Sequence, residues 1–182
     1  ARAEDHQHRF RERRVAELRR DELPGHIPAL ADLIAACGSA FELSLDLKGD
    51  GAGRAVLDVV ATAAPDLMGR TWLCHPDVDV LTAIRPLDGD VKLMNSTRLQ
   101  RLTEGPERRA ARLAELAIDG INLRKDDWNG GLVTLFHRFG RVAFAWDLQF
   151  DHELRPAFRM GIDGVYSDHV DRMLAAFADE LG

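Results

Sequence analysis

Residues 41–48 read Phe-Glu-Leu-Ser-Leu-Asp-Leu-Lys, a strict alternation of apolar and polar side chains. Successive side chains of a β-strand point to opposite faces, so a period of two predicts a strand with one apolar and one polar face. The apolar face carries one aromatic and three leucine side chains. The polar face carries Glu42, Ser44, Asp46 and Lys48.

The same unit, a short apolar strand followed by an amphipathic helix, recurs along residues 24–182. Strands are predicted at 41–48, 71–75, 91–96, 120–123, 142–147 and 164–167. A helix is predicted before the first strand, at 30–37, and one after each strand, at 52–64, 76–85, 106–117, 130–139, 150–160 and 168–181. Pro76 is expected in the first turn of its helix, and Asp168 is expected as an N-cap.

Six βα units in a row predict an α/β fold with parallel strands and right-handed crossovers. An open doubly wound sheet would be favoured by a GxGxxG motif after the first strand, which the sequence lacks. A complete (β/α)8 TIM barrel takes about 250 residues. At the same spacing this chain is two units short, and it starts at Ala1 in polar sequence. We therefore interpret it as one domain, residues 1–182, forming a barrel that lacks its first two strands.

Composition excludes several classes of function. The net charge of −6 disfavours a nucleic-acid partner. No apolar run approaches the roughly 18 residues that a membrane span requires. Residues 1–23 mix seven Arg with six Asp or Glu, which is typical of a charged loop and short helix rather than a basic arm. Cys37 and Cys74 form no disulfide framework, which favours the cytoplasm. Secretion stays open because the start is interpreted as truncated.

The carboxyl ends of the strands carry the candidate site residues, since active sites of such barrels lie at that end. With the apolar row of the first strand packed against helices, Asp46 and Lys48 point to the barrel mouth. The adjacent carboxylate and ammonium suit a cation and an anion bound together, although a plain salt bridge would have the same sequence. His75, Asn122 and Trp146 stand at or one residue before the ends of three further predicted strands and are expected to contact a small-molecule substrate.

Three blocks in order resemble the glycerophosphodiester phosphodiesterase family. Residues 27–30, Ile-Pro-Ala-Leu, followed by Leu-Asp-Leu-Lys at 45–48, resemble the family block that ends in Glu-Leu-Lys. Residues 142–147, Val-Ala-Phe-Ala-Trp-Asp, resemble its tryptophan strand. Residues 161–168, Gly-Ile-Asp-Gly-Val-Tyr-Ser-Asp, resemble its closing block. The resemblance runs from about residue 5 to the end of the chain.

The resemblance implies metal-dependent hydrolysis of glycerophosphodiesters to glycerol 3-phosphate and an alcohol, an activity of lipid metabolism. Asp46 takes the place of a metal-ligating Glu, and oxygen ligands suit Mg²⁺ or Ca²⁺. Lys48 would contact the phosphate and support catalysis, and Trp146 would line the glycerol pocket. His6 stands where a catalytic histidine is expected, with His8 as a rival. His75 replaces a common serine at the mouth.

The sequence also departs from the family pattern. The opening His-Arg-Gly strand, the Pro-Glu-Asn-Thr segment and the Glu-x-Asp pair are absent, and with them one catalytic histidine and two metal carboxylates. We therefore expect the 182 residues alone to be inactive. Two alternatives stay open. One is a related phospholipase-type barrel acting on lysophospholipid or phosphoinositide, and the other is a non-catalytic barrel fragment that binds phosphodiesters. The sequence does not predict the oligomeric state.

Overall fold

The computed structural model describes residues 18–49 and 51–182. They form a single parallel sheet of six strands in the order β1-β2-β3-β4-β5-β6, with helices between the strands. The strands are β1 Leu43–Asp46, β2 Thr71–His75, β3 Lys92–Ser96, β4 Gly120–Arg124, β5 Val142–Trp146 and β6 Gly164–Val165. The helices are α1 Leu30–Cys37, α2 Ala52–Ala63, α3 Val78–Ile84, α4 Pro106–Glu115, α5 Gly130–Arg138, α6 Asp151–Met160 and α7 Val170–Leu181.

All five neighbouring strand pairs are parallel, as the repeated βα pattern predicts. The sheet curls into a partial barrel with the helices on its outer side, so the predicted fold class, an α/β partial TIM barrel, is confirmed. Among the described residues, β1 pairs only with β2, and β6 pairs only with β5. Both edges of the partial barrel are therefore open there.

The main hydrophobic core lies between the sheet and the helices. Alternate strand residues such as Leu73, Leu93 and Ile121 are completely buried on this outer face. They pack against apolar helix residues that include Leu81 and Phe136. Side chains alternate between the two faces of a strand. Because this row packs outward against the helices, the residues between its members must point to the inner face.

The inner face carries a second, smaller set of contacts that crosses the partial barrel. The hydroxyl groups of Ser44 in β1 and Tyr166, just after β6, lie 2.8 Å apart, and the Cys74 sulfur lies 3.5 Å from the Ser44 oxygen. The rings of Trp72 and Phe144 have centroids 5.0 Å apart. The first and last strands thus meet through side chains although their backbones do not pair.

One glycine makes this inner packing possible. A Cβ atom at Gly164 would lie 2.9 Å from the ring of Phe144, closer than real Cβ contacts allow. Only a residue without a side chain lets the aromatic ring cross the start of β6. The glycine therefore brings the ring of Phe144 towards Tyr166, with ring centroids 6.0 Å apart.

Element boundaries differ from the sequence prediction in strands and helices: the first strand covers Leu43–Asp46 rather than 41–48, and the last covers Gly164–Val165 rather than 164–167. The third helix begins at Val78 rather than at residue 76, because the Asp77 side chain accepts a hydrogen bond from the Asp79 amide and caps it. The prediction that Asp168 caps the last helix is wrong. That helix begins at Val170, and the Asp168 carboxylate instead accepts a hydrogen bond from the Gln149 side chain.

The amino-terminal stretch predicted as a charged loop and short helix contains one 3₁₀ turn, Arg20–Glu22, within the described residues. Residues 1–17 lie outside them. Cys74 is buried and Cys37 exposed, and both are free thiols. In the described part of the chain, no helix combines the length and the apolar character that crossing a membrane would need.

The cross-barrel hydrogen bond leads to a test of the inner packing. We expect Tyr166→Phe to lower the free energy of unfolding by about 1 kcal/mol, because the Ser44 and Tyr166 hydroxyl groups lose their mutual hydrogen bond of 2.8 Å. The measurement is urea denaturation followed by circular dichroism. Ser167→Ala, which alters the next hydroxyl along the chain, is the control. An unchanged midpoint for Tyr166→Phe would show that this bond does not hold β1 and β6 together.

Candidate active site

Asp46 and Lys48 lie at the carboxyl end of β1, on the row that carries Ser44. The Lys48 ammonium lies 3.3 Å from an Asp46 carboxylate oxygen, and their side chains are 50% and 61% exposed. The Asp46 charge reaches the inner face: burial raises the pKa of the Cys74 thiol, and the Asp46 carboxylate raises it further. The carboxylate and ammonium are thus adjacent and open to solvent at the barrel mouth.

Asn122, from the inner row of β4, is 95% buried, since only 5% of its surface is exposed. Its amide nitrogen lies 3.1 Å from the Ser96 hydroxyl in β3, and its carboxamide oxygen has no hydrogen-bond partner among the described residues. An unsatisfied buried acceptor is costly and is uncommon in folded proteins. This oxygen is thus an acceptor without an internal donor among the described residues.

Trp146 ends β5 and is partly exposed beneath a guanidinium group. The Arg98 guanidinium carbon lies 5.9 Å from the centre of the Trp146 ring, within the range of a cation–π contact. Arg98 is held by two hydrogen bonds to Asp127, of 2.6 and 3.2 Å. Burial alone would raise the pKa of Asp127, but the bonds from Arg98 and the Leu99 amide outweigh it and lower that pKa. The pair stays ionised and fixes the position of Arg98 over the ring.

Asp147, directly after Trp146, has a left-handed backbone with a φ of 68°. This conformation is uncommon for residues other than glycine, although Asp tolerates it better than most. Arg124, at the end of β4, donates two hydrogen bonds of 2.9 and 2.7 Å to one oxygen of the Asp147 carboxylate. The ion pair and the turned backbone together set the direction in which the chain leaves Trp146.

The predicted histidines are placed differently from the other candidates. His75 ends β2 at the level of Asn95, and its Nδ1 atom accepts a hydrogen bond of 3.0 Å from the Asp77 amide. Its ring therefore fastens the loop that leads into α3, and its contact with substrate stays a prediction. His6 and His8 lie outside the described residues.

The described residues do not form a metal site by themselves. No group of three or more His, Cys, Asp or Glu side chains suited to a metal ion occurs within 18–49 and 51–182. Asp46 supplies one carboxylate, which already contacts the Lys48 ammonium. A hard cation such as Mg²⁺ or Ca²⁺ needs several oxygen ligands. Further ligands would have to come from residues outside the described part.

Sequence reasoning did not identify Arg98, Arg124 and Tyr166 as site residues. For Arg124 a signal existed, because it continues the alternate row of Gly120 and Asn122 if the strand extends by one residue. Arg98 comes from a loop, and its ring contact depends on Asp127 from the next loop. A contact between two loops leaves no periodic pattern in the sequence from which it could be predicted.

The structure is thus a partial parallel α/β barrel. Its polar, partly open candidate site lies at the carboxyl ends of its strands. No family model and no curated protein matches the chain. Solved structures do match. A protein from Silicibacter pomeroyi, assigned as a glycerophosphoryl diester phosphodiesterase, superposes with a TM-score of 0.72 at 23% identity over 84% of this chain and 56% of that one.

Two further structures give the same result. One, from Galdieria sulphuraria and assigned as a glycerophosphodiester phosphodiesterase, has a TM-score of 0.77 at 18% identity, covering 96% of this chain and 77% of that one. A phosphodiesterase from Oleispira antarctica, in complex with its product sn-glycerol-3-phosphate, has a TM-score of 0.71 at 18% identity, covering 84% and 62%. The chain thus shares the glycerophosphodiester phosphodiesterase fold and spans 56 to 77% of the length of these structures. The family resemblance seen in the sequence is confirmed at the level of the fold.

The turned backbone at Asp147 gives a test that separates conformation from charge. Asp147→Gly and Asp147→Val both remove the carboxylate that Arg124 binds besides that of Asp126, but only Gly accepts a φ of 68° readily. We expect the Val variant to be less stable than the Gly variant by about 1–3 kcal/mol. Thermal unfolding of the two variants measures this difference. Equal stability would mean that the backbone is not constrained at this position.

Proposed function

We propose that this barrel belongs to a metal-dependent hydrolase that converts glycerophosphodiesters into glycerol 3-phosphate and an alcohol. The observation that carries the proposal is the exposed pair of Asp46 and Lys48 at the mouth of a barrel with the phosphodiesterase fold. The product bound by the Oleispira antarctica structure is the kind of molecule that such a site would accommodate.

Both side chains of the pair are at least half exposed, which distinguishes it from the pairs of Arg98 with Asp127 and of Arg124 with Asp147. The side chains of Arg98 and Asp127 are 30% and 12% exposed, and those of Arg124 and Asp147 are 33% and 32% exposed. Asp46 and Lys48, at 50% and 61%, interact across solvent and contribute little to stability. Replacing the contact between Asp46 and Lys48 by contacts with a ligand would therefore cost little free energy. The two less exposed ion pairs instead hold their loops in place.

Three candidate residues have distinct roles in the proposal. Lys48 places a positive charge against the phosphate, and this charge becomes more favourable as negative charge develops on the phosphoryl oxygens. Trp146 lines the glycerol pocket and presents an apolar ring whose position Arg98 restrains. Asn122 supplies a buried acceptor that suits a glycerol hydroxyl. His75 lies on the same outer row of β2 as Leu73 and is given no role in this proposal.

The proposed reaction needs a base and an acid besides these groups. A water molecule loses a proton to the base and attacks phosphorus, the P–O bond to the alcohol breaks, and the acid protonates the departing oxygen. His6 is the candidate for one of these two roles, with His8 as its rival. Bound Mg²⁺ or Ca²⁺ would supply charge neutralisation, and Asp46 is proposed as one of its ligands. Cytoplasmic location stays a prediction.

The completeness of the site can be tested by activity. Because Asp46 is the one carboxylate proposed here as a metal ligand among the described residues, we expect the 182-residue chain to release no glycerol 3-phosphate from glycerophosphocholine in about 5 mM Mg²⁺ or Ca²⁺, which is above the weaker Ca²⁺ dissociation constants of about 10⁻⁴–10⁻³ M. A coupled glycerol 3-phosphate dehydrogenase assay measures release. Robust turnover would contradict the expectation of an incomplete site, and turnover of lysophospholipid alone would favour the phospholipase alternative.

Binding provides a test that does not depend on turnover. We expect sn-glycerol 3-phosphate to shift the Trp146 indole signal in a ¹H–¹⁵N spectrum of the chain. Lys48→Met should weaken this binding on the order of fivefold, the effect of about 1 kcal/mol from one screened charge. Lys92→Met is the matched control, because Lys92 begins β3 at the opposite end of the barrel. Equal weakening by both variants, or none by Lys48→Met, would contradict a phosphate site at Lys48.

A further inference from the structure

Arg98 reaches across the barrel mouth to a strand that is not the neighbour of its own. It stands in the loop after β3, and its guanidinium carbon lies 5.9 Å from the ring centre of Trp146, the last residue of β5. Because β4 lies between β3 and β5 in the sheet, the Arg98 side chain passes over the end of β4. Its guanidinium group therefore lies at the inner row of the mouth, beside the ring that the proposed function assigns to the glycerol pocket.

The hydrogen bonds of Arg98 fix one side of its guanidinium group and leave the other side open. The Nε and Nη2 atoms donate to the two carboxylate oxygens of Asp127, at 2.6 and 3.2 Å. The Asp127 carboxylate is itself held by the Leu99 amide, which donates a hydrogen bond of 3.1 Å. The Nη1 atom of Arg98 has no hydrogen-bond partner among the described residues. Since a guanidinium group carries five N–H donors, Arg98 keeps donors for a ligand while its position is fixed.

Arg124, the other arginine at this part of the mouth, has no nitrogen to spare. Its Nε and Nη2 atoms donate to the Asp147 carboxylate, and its Nη1 atom donates to the Asp126 carboxylate. All three nitrogen atoms of Arg124 are thus used to hold the loops after β4 and β5. Of the two guanidinium groups, only that of Arg98 combines a fixed position with a nitrogen that lacks a partner in the described structure.

The side chains around Trp146 suit hydroxyl groups better than a hydrocarbon chain. The last inner-row residues of β3 and β4 are Ser96 and Arg124, and Asn122 precedes Arg124 on the same row. Apart from the ring of Trp146, these positions offer polar groups only. A hydrocarbon chain placed there gains little from apolar contact, and it displaces water from charged groups without replacing the hydrogen bonds of that water.

We propose that Arg98 is a specificity-determining residue, which selects diesters with free glycerol hydroxyls over lysophospholipids, in which one hydroxyl carries an acyl chain. The inference rests on the proposed function, because it takes Trp146 as a wall of the glycerol pocket. A free hydroxyl oxygen accepts a hydrogen bond from Nη1 of Arg98 while the glycerol carbons lie against the ring. An acylated hydroxyl instead brings an alkyl chain against the guanidinium group. Arg98 therefore separates the two substrate classes that the sequence leaves open.

Binding to the 182-residue chain tests this selection without turnover. The ligands are glycerophosphocholine and hexanoyl-lysophosphatidylcholine below its micelle concentration, which differ only by the acyl group. The Trp146 indole signal in a ¹H–¹⁵N spectrum reports both titrations. We expect the unmodified chain to prefer glycerophosphocholine by about tenfold, the factor for one hydrogen bond from a charged donor. Arg98→Met should abolish this preference, because Met replaces the donors with an apolar side chain of similar length.

Two further variants separate the donors of Arg98 from other effects. Arg101→Met is the matched control, because Arg101 is exposed in the same loop and its side chain makes no hydrogen bond in the described structure. It should leave both affinities unchanged. Arg98→Lys keeps a charged donor but loses the paired contact with Asp127, so it should bind both ligands more weakly and retain a preference for glycerophosphocholine.

The outcomes distinguish this inference from the proposed function. If Arg98 only holds the Trp146 ring in place, Arg98→Met weakens both ligands by the same factor and the preference remains, which overturns the inference. Equal affinity of the unmodified chain for the two ligands, or a preference lost as completely in Arg98→Lys as in Arg98→Met, also overturns it and leaves the proposed function intact. Absence of binding by either ligand instead rejects the glycerol site itself, and the inference with it.

Discussion

The two-residue period of the strands is the constraint on which the rest of this structure depends. It sends Leu73, Leu93 and Ile121 outward beneath the helices, where they are completely buried. The intervening residues must then face inward, whatever their polarity. The inner face is therefore a consequence of the outer packing, and the polar side chains that carry the proposed chemistry are held in place by leucines that never contact a substrate.

The polar side chains of the inner face find partners in two different ways along the barrel. In the middle, Ser44, Cys74 and Tyr166 hydrogen-bond to one another, and burial raises the pKa of the Tyr166 hydroxyl, which therefore stays neutral. At the mouth, charges are paired instead. The pairs differ in exposure, and that difference separates groups that hold loops in place from groups that are able to take a ligand. Asp46 and Lys48 are proposed to be of the second kind, because both side chains are at least half exposed.

The predictable part of the fold is the part governed by a period. The strand at 71–75 and the parallel order of all six strands follow from alternation and βα spacing, and the structure has both. Helix starts were less predictable. Pro76 and Asp168 are both residues typical of a helix start, but the actual start depends on which side chain accepts a hydrogen bond from a free backbone amide of the first turn. Asp77 does so, and Asp168 is drawn to Gln149 instead.

The site follows the same division. Asp46, Lys48, Asn122 and Trp146 could be proposed because each stands on or directly after a strand, at a position fixed by the period. The contact of Arg98 with Trp146 could not be proposed from the sequence. It requires two loops to meet, so that Asp127 in one loop can bind the guanidinium group of Arg98 in the other. Such relations are set by the three-dimensional closeness of strand ends.

The open side of the barrel connects these observations. A hydrogen bond between β1 and β6 side chains spans the inner face without any backbone pairing between those strands. A single neutral hydrogen bond contributes about 1 kcal/mol, too little to curl a sheet. The curl must therefore come from strand twist and from the helices on the outer face.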